Sequence, residues 1–316
     1  MQPQGEVYNL GYQRYDGPRE GRRRARRAIF ENGVRTVLGL GRGPRAKVIP
    51  ALLFLGAIVP ALIFVIILSV AGSSAGFIPG PSDYYQVISI ILLLFGAISA
   101  PELLCSDRRD NVIHLYLVRP LTPTDYLLGR FLAFFTIVLA LAYSGQIILQ
   151  AGLILSASAP WEYIQDNWTD IPRFLGAGFL MALFITAVPL AVASFTDRRA
   201  YAAAFVIGLF IISTGVADGL TSTEDCREVS RPDGSTEVAC NSGDRAVTGE
   251  AAQWFSLISI RDVPVRINDM IFGTENETPS IKAAAGLHAS IPIALYVLFT
   301  AGPVLVLWLR YRRIRA

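Results

Sequence analysis

The sequence predicts an all-α polytopic membrane protein. Six transmembrane helices run N-in/C-in, and a small extracytoplasmic β-hairpin, closed by a disulfide, sits between spans 5 and 6. Three observations carry this. The 316-residue chain is 53% hydrophobic and only 17% charged, whereas a soluble domain is usually about 25% charged. Six apolar runs (48–71, 84–104, 131–155, 174–195, 201–217 and 289–309) meet the roughly 17–25 residues that a helical crossing takes. Finally, loops rich in Lys and Arg alternate with loops that have none. Core helices of a large soluble protein would show polar stripes, which these runs lack.

The alternation sets the orientation. Residues 1–47 hold 11 basic and 4 acidic residues, and the 72–83 and 156–172 loops hold no Lys or Arg. The 105–125 loop carries Arg108, Arg109 and Arg119, the 196–200 turn carries Arg198 and Arg199, and the tail carries Arg310, Arg312, Arg313 and Arg315. Both ends and the basic loops therefore belong in the cytoplasm. The 218–288 loop, with 6 basic and 12 acidic residues, is long enough to cross regardless of charge. The first apolar stretch begins at 48, so span 1 rather than a cleavable leader is expected to target the chain.

Four regions follow: a cytoplasmic segment 1–47, spans 1–5 over 48–217, an extracytoplasmic loop domain 218–288, and span 6 with a basic tail over 289–316. In the first, the Arg22–Arg27 run precedes Ile29, Phe30, Val34, Val37 and Leu38 at helical spacing. This predicts a basic amphipathic helix on the inner leaflet, drawn to anionic lipid. A membrane-tethered Arg run favours lipid over nucleic acid. Gly39-Leu40-Gly41-Arg42-Gly43-Pro44-Arg45-Ala46-Lys47 lacks the phosphate-loop spacing and reads as a linker.

Within the spans, Pro60, Pro189, Pro292 and Pro303 are hinges or tolerated kinks. Gln146 and Gln150 are four apart and share a helix face, where they serve either interhelical hydrogen bonds or a translocation path. Glu102, the one ionisable acid inside a span, is either a path residue or an interfacial structural group.

In the 218–288 loop, Cys226 and Cys240 flank Pro232-Asp233-Gly234, a turn in which proline pre-sets φ and glycine accepts positive φ. Val and Thr alternate on the flanks. A hairpin with a Cys226–Cys240 disulfide is expected in an oxidising compartment, while Cys105 should be a free cytoplasmic thiol. Trp254, Phe255, Leu257, Ile258 and Ile260 are expected on the membrane surface. Two sequons, Asn167-Trp168-Thr169 and Asn276-Glu277-Thr278, carry little weight. The sequence holds no nucleotide site, no metal-binding spacing and no nucleophile elbow, and His114 and His288 fall on opposite sides of the membrane. Neither a cofactor nor an enzymatic activity is expected of this chain.

The 105–125 segment is a charged interruption between two apolar runs. Residues 108–118 predict about three helical turns, ended by Arg119-Pro120 because the residue before proline is pushed out of the α region. Thr122, Pro123 and Asp125 then predict a capped start for span 3. Such a helix, apolar at Val112, Ile113, Leu115, Tyr116, Leu117 and Val118, needs surfaces to cover it.

Here the sequence resembles the permease subunits of ABC-2 type transporters. The resemblance is carried by Asp107-Arg108-Arg109-Asp110, the apolar run 112–118, Arg119-Pro120 and Tyr126-Leu127-Leu128-Gly129-Arg130-Phe131. The opening Tyr8–Tyr15 stretch is similar to that of bacterial members. One departure is Asn111-Val112, where the family usually has Gly-Thr. The resemblance implies that 107–119 is a coupling helix docked on a separate ATP-binding subunit. Asp107, Arg108, Arg109, Asp110, His114 and Arg119 would supply polar contacts, with Leu115 and Tyr116 as apolar anchors. It further implies two permeases, the same chain twice or a sister pair, with two ATP-binding subunits that bind ATP and Mg, in the bacterial cytoplasmic membrane. A secondary transporter would show internal repeats or broken, charged mid-span segments, and a membrane enzyme would show clustered His, Asp or Glu; neither stands out. The 26 Arg against 2 Lys fit a GC-rich bacterial genome. The transported substrate does not follow from the scaffold.

Overall fold

The computed structural model describes residues 21–41, 43–71, 80–117, 121–157, 159–221, 226–230, 236–240, 247, 249–274 and 278–313. The side chains of Arg45, Ala71, His114, Leu115, Leu117 and of both strands are excepted. In chain order the elements are α1 (Gly21–Val37), α2 (Pro44–Ala71), α3 (Pro81–Arg109), α4 (Val112–Leu117), α5 (Pro123–Ser156), α6 (Pro160–Asp166), α7 (Asp170–Ala193), α8 (Arg199–Thr221), β1 (Cys226–Ser230), β2 (Thr236–Cys240), α9 (Glu250–Ser256), α10 (Asp262–Phe272), α11 (Pro279–Ala284) and α12 (Ser290–Arg312).

Six of these helices are long and apolar enough to cross a membrane: α2, α3, α5, α7, α8 and α12. They overlap the six runs read from sequence, and α3, α5 and α8 extend past both ends of theirs. α3 and α7 are the most enclosed, and α2, α8 and α12 lie at the periphery with most of their apolar surface outward. α3 and α7 approach closely at Gly96, where an added Cβ would lie 3.1 Å from both Ile185 Cγ2 and Pro189 Cγ. Pro189 thus packs against a neighbour inside a continuous α7.

Tyrosines tie the helices together. Tyr84 of α3 donates its hydroxyl to the Ala57 carbonyl of α2, and Tyr85 donates to Phe174 O of α7 at 2.8 Å. Tyr143 of α5 donates to Leu175 O at 2.6 Å, and Tyr296 of α12 to Leu180 O at 2.8 Å. Between apolar helices there is no water to release, so such hydrogen bonds and close packing hold the bundle. Their acceptors are backbone carbonyls, so no polar side chain signals them in the sequence.

Two expectations are refined. The apolar face of α1 packs on the bundle, with Ile29, Gly33 and Val37 buried. An added Cβ at Gly33 would fall 2.6 Å from Ala133 Cβ, and one at Gly129 would fall 2.8 Å from Ile29 Cγ2. The predicted linker is a tight turn. Gly39 has φ +67, and its α-carbon faces Ala46 O so closely that a Cβ would lie 2.4 Å away.

The loop between α8 and α12 carries more helix than the sequence suggested. α10 packs on α7, α12 and α3 and buries Val263, Val265, Ile267, Asn268 and Asp269. Trp254, Phe255 and Ile258 point outward. β1 and β2 pair antiparallel with Cys226 opposite Cys240. The Pro232-Asp233-Gly234 turn, Asn276 and Glu277 of the second sequon, and the Tyr8–Tyr15 stretch lie outside the described residues.

Candidate functional site

The charged chemistry of the bundle concentrates at the end where α1, α4 and the C-terminus of α12 meet. It is built from the start of α5. Thr122 Oγ1 accepts from Asp125 N at 3.3 Å, and Asp125 Oδ2 accepts from Thr122 N at 3.1 Å, with Pro123 in the first turn. This is the expected capping box. Arg22 of α1 adds a 2.7 Å bond from Nε to Asp125 Oδ2, so the cap also anchors α1.

One turn on, Arg130 is 2% exposed. Its Nη2 donates to Asp107 Oδ2 at 2.6 Å and its Nη1 to Asn32 Oδ1 at 3.0 Å. Tyr126 donates to the same Asp107 oxygen at 2.7 Å, and the guanidinium lies 5.7 Å from the Tyr126 ring centroid. Tyr126 is itself the middle of a stack. Tyr116 of α4 and Tyr311 of α12 lie on its two sides, each with ring centroids 5.8 Å away. One residue cluster therefore joins α1, α3, α4, α5 and α12.

The predicted 108–118 helix is divided. Asp107, Arg108 and Arg109 form the last turn of α3, and α4 begins only at Val112. The break is Asp110-Asn111, with Asn111 at φ 52. That left-handed conformation suits glycine and, among other residues, is tolerated best by Asn, so Asn111 fits the turn.

The division sorts the predicted contact residues. Asp107 faces inward onto Arg130 and Tyr126. Arg108 faces the α7–α8 turn, where Nε lies 3.1 Å from Asp197 Oδ1 and Nη1 donates to the Ser194 carbonyl. Arg109 and Asp110 are exposed and paired with each other at 3.0 Å. The Arg109 guanidinium holds the Asp110 carboxyl below its usual range. Tyr116 is half-buried in the stack. The side chains of His114 and Leu115 and all of Arg119 lie outside the described residues.

Glu102 accepts from Arg199 Nη1 at 2.8 Å, so it bridges α3 to the start of α8. Cys105 is a buried free thiol, donating to Thr196 O at 3.2 Å. Gln146 is fully buried with neither amide atom partnered, and Gln150 Nε2 is buried and unpartnered. No group of His, Cys, Asp and Glu that could hold a metal occurs among the described residues.

Sequence reasoning missed Arg130, Asn32, Tyr311 and Asp197. Arg130 carried a usable signal: a cation two turns into an apolar run requires a counter-charge, and the preceding loop offered Asp107, Asp110 and Asp125.

Six membrane-length helices, with ionised side chains gathered at one helix end around a short mounted helix, define a multi-pass membrane protein. The chain belongs to the ABC-2 transporter family, whose description "ABC-2 family transporter protein" matches residues 20–305. That family points to the membrane subunit of an ABC transporter. No curated protein matches the chain.

Proposed function

We propose that this chain is the permease of an exporter in the bacterial cytoplasmic membrane, N-in and C-in. It is driven by ATP and Mg on a separate ATP-binding subunit that docks over 107–119. Two permeases, identical or sister chains, pair with two such subunits. The observation that carries this reading is the Tyr116–Tyr126–Tyr311 stack on the Arg130–Asp107 pair. A force applied to α4 reaches α5 and α12 through aromatic faces, and α1 and α3 through one hydrogen-bonded guanidinium. Arg109 and Asp110 are the exposed docking groups, Tyr116 transmits, and Asp107 and Arg108 hold the platform. The alternation of basic loops supports the orientation. The Cys226–Cys240 register supports a disulfide-closed hairpin on the outside, which free thiols at both positions in non-reducing mass mapping would exclude.

The test is co-expression with the cognate ATP-binding subunit, followed by capture, ATP turnover and transport in vesicles. Arg109→Glu with Asp110→Lys should lose capture. Tyr116→Ala should keep capture and turnover while transport falls several-fold. Failure of the wild-type chain to capture the subunit, or full transport by both variants, overturns the reading.

A further inference from the structure

At the end of the bundle that carries α10, a cavity of ≈ 270 Å³ opens between α3 and α8. Leu93, Leu94, Ile207 and Phe210 line its apolar part, and Asp218 and Arg261 also line it. Asp218 lies about 16 Å beyond Ile207 along α8 at the helical rise, and Arg261 bonds Ser89 near the start of α3, so both charges belong to the α10 end of the cavity. Its open side is flanked by Ile90 and Ile211, which are 52% and 65% exposed.

The two charges do not satisfy each other. Asp218 Oδ1 and Arg261 Nε are both shielded from solvent and both lack a hydrogen-bond partner. The rest of the Arg261 guanidinium is engaged, with Nη2 donating to Ser89 Oγ at 3.1 Å and Nη1 lying 3.7 Å from Asp262 Oδ1. Asp262 is in turn held by Ser280 Oγ at 2.7 Å. A fixed acceptor and a fixed donor thus stand unused at the head of an apolar slot. An anionic ligand would leave Asp218 unpaired, and a cationic one would leave Arg261 Nε unpaired; such unmade bonds weigh against either.

We propose that this cavity binds a zwitterionic amphiphile. Its ammonium group faces Asp218, its anionic oxygen accepts from Arg261 Nε, and its tail runs along Leu93, Leu94, Ile207 and Phe210 and out past Ile90 and Ile211 into the bilayer. This names a substrate class for the transport reading, and it rests on that reading only for the step from binding to movement.

The test uses the permease with its ATP-binding subunit in nanodiscs of phosphatidylglycerol, titrated without nucleotide with a lysophosphatidylethanolamine carrying a fluorescent tail. Saturable binding is expected, with dodecyltrimethylammonium and lysophosphatidylglycerol competing weakly. Asp218→Asn and Arg261→Gln should each weaken binding on the order of tenfold. Gly215→Leu provides a variant that leaves the charges intact. Gly215 lines the cavity, and its added Cβ meets nothing within 4 Å, so the side chain fills the slot without straining the helix. It should abolish binding while ATP-binding subunit capture persists. Absence of saturable binding, equal competition by the singly charged amphiphiles, or unchanged affinity in Asp218→Asn overturns the proposal. ATP-driven movement of the bound amphiphile is read separately: binding without movement upholds the site and counts against export.

Discussion

Arg130 Nη2 lies 2.6 Å from Asp107 Oδ2, with the arginine 2% and the aspartate 13% exposed. The pair links the second turn of α5 to the last turn of α3. An arginine at that depth is stable only because a carboxylate, a phenol ring and the Asn32 amide surround it. Charges of this kind lose hydration on burial, and their attraction recovers it only when geometry and further hydrogen bonds are good. The pair therefore serves position more than net stability.

That distinction is measurable. Arg130→Met strands Asp107 and should destabilise the protein by about 3–5 kcal/mol, seen as a lower unfolding temperature in detergent. Asp107→Leu added to Arg130→Met should restore most of the loss, because an apolar pair replaces an ionic one at little cost. Transport should stay low in the double variant, since Tyr126 and Asn32 lose the partner that aligns them. Recovery of transport together with stability would show that the pair has no positioning role.

The seat of α1 gives a second prediction. Gly33 and Gly129 lie where a side chain would meet Ala133 Cβ at 2.6 Å and Ile29 Cγ2 at 2.8 Å. Backbone and methyl groups cannot yield by such amounts. Gly129→Val should push α1 off α5 and break the 2.7 Å Arg22–Asp125 bond. Limited trypsin treatment should then cut within Arg22–Arg27 several-fold faster than in the wild type. An unchanged cleavage rate would mean that α1 is held elsewhere.

What could be read from the sequence divides along physical lines. The spans were legible because each is apolar over its whole length, and the α5 start was legible because Thr122, Pro123 and Asp125 form a local capping pattern. The break at Asp110-Asn111 was not, because the apolar run 112–118 continues the helical spacing and only the φ of Asn111 reveals the turn. The partners of Asp107 and Arg108 were also hidden. Both read as surface charges of a loop, whereas long-range packing turns them onto Arg130 and Asp197. The outer helices α9–α11 were obscured by scattered acids whose burial, as at Asp262 and Asp269, depends on neighbours far along the chain.

Asn111 offers a third, sharper prediction. Its φ of 52 costs a β-branched residue more than it costs Asn or Gly, at roughly 1–2 kcal/mol. Asn111→Gly should therefore be tolerated, with thermal stability and transport near wild type. Asn111→Val should re-aim α4 and lower transport more than it lowers stability. Equal behaviour of the two variants would show that the turn angle does not matter for α4.

The in-span polar groups separate by whether their bonds are made. Glu102 is half-buried and bonded to Arg199 at 2.8 Å. A partly exposed pair of this kind contributes about 0–1 kcal/mol, so Glu102→Gln should change stability little and leave transport intact. Gln146 differs: it is fully buried, and neither amide atom has a partner. Holding an amide unbonded in an apolar bundle costs on the order of 1–3 kcal/mol, which Gln146→Leu should return as a higher unfolding temperature. A destabilising polar group kept in a core is expected where function uses it, so the same variant should transport more slowly. A stabilised Gln146→Leu protein with undiminished transport would remove Gln146 from the path.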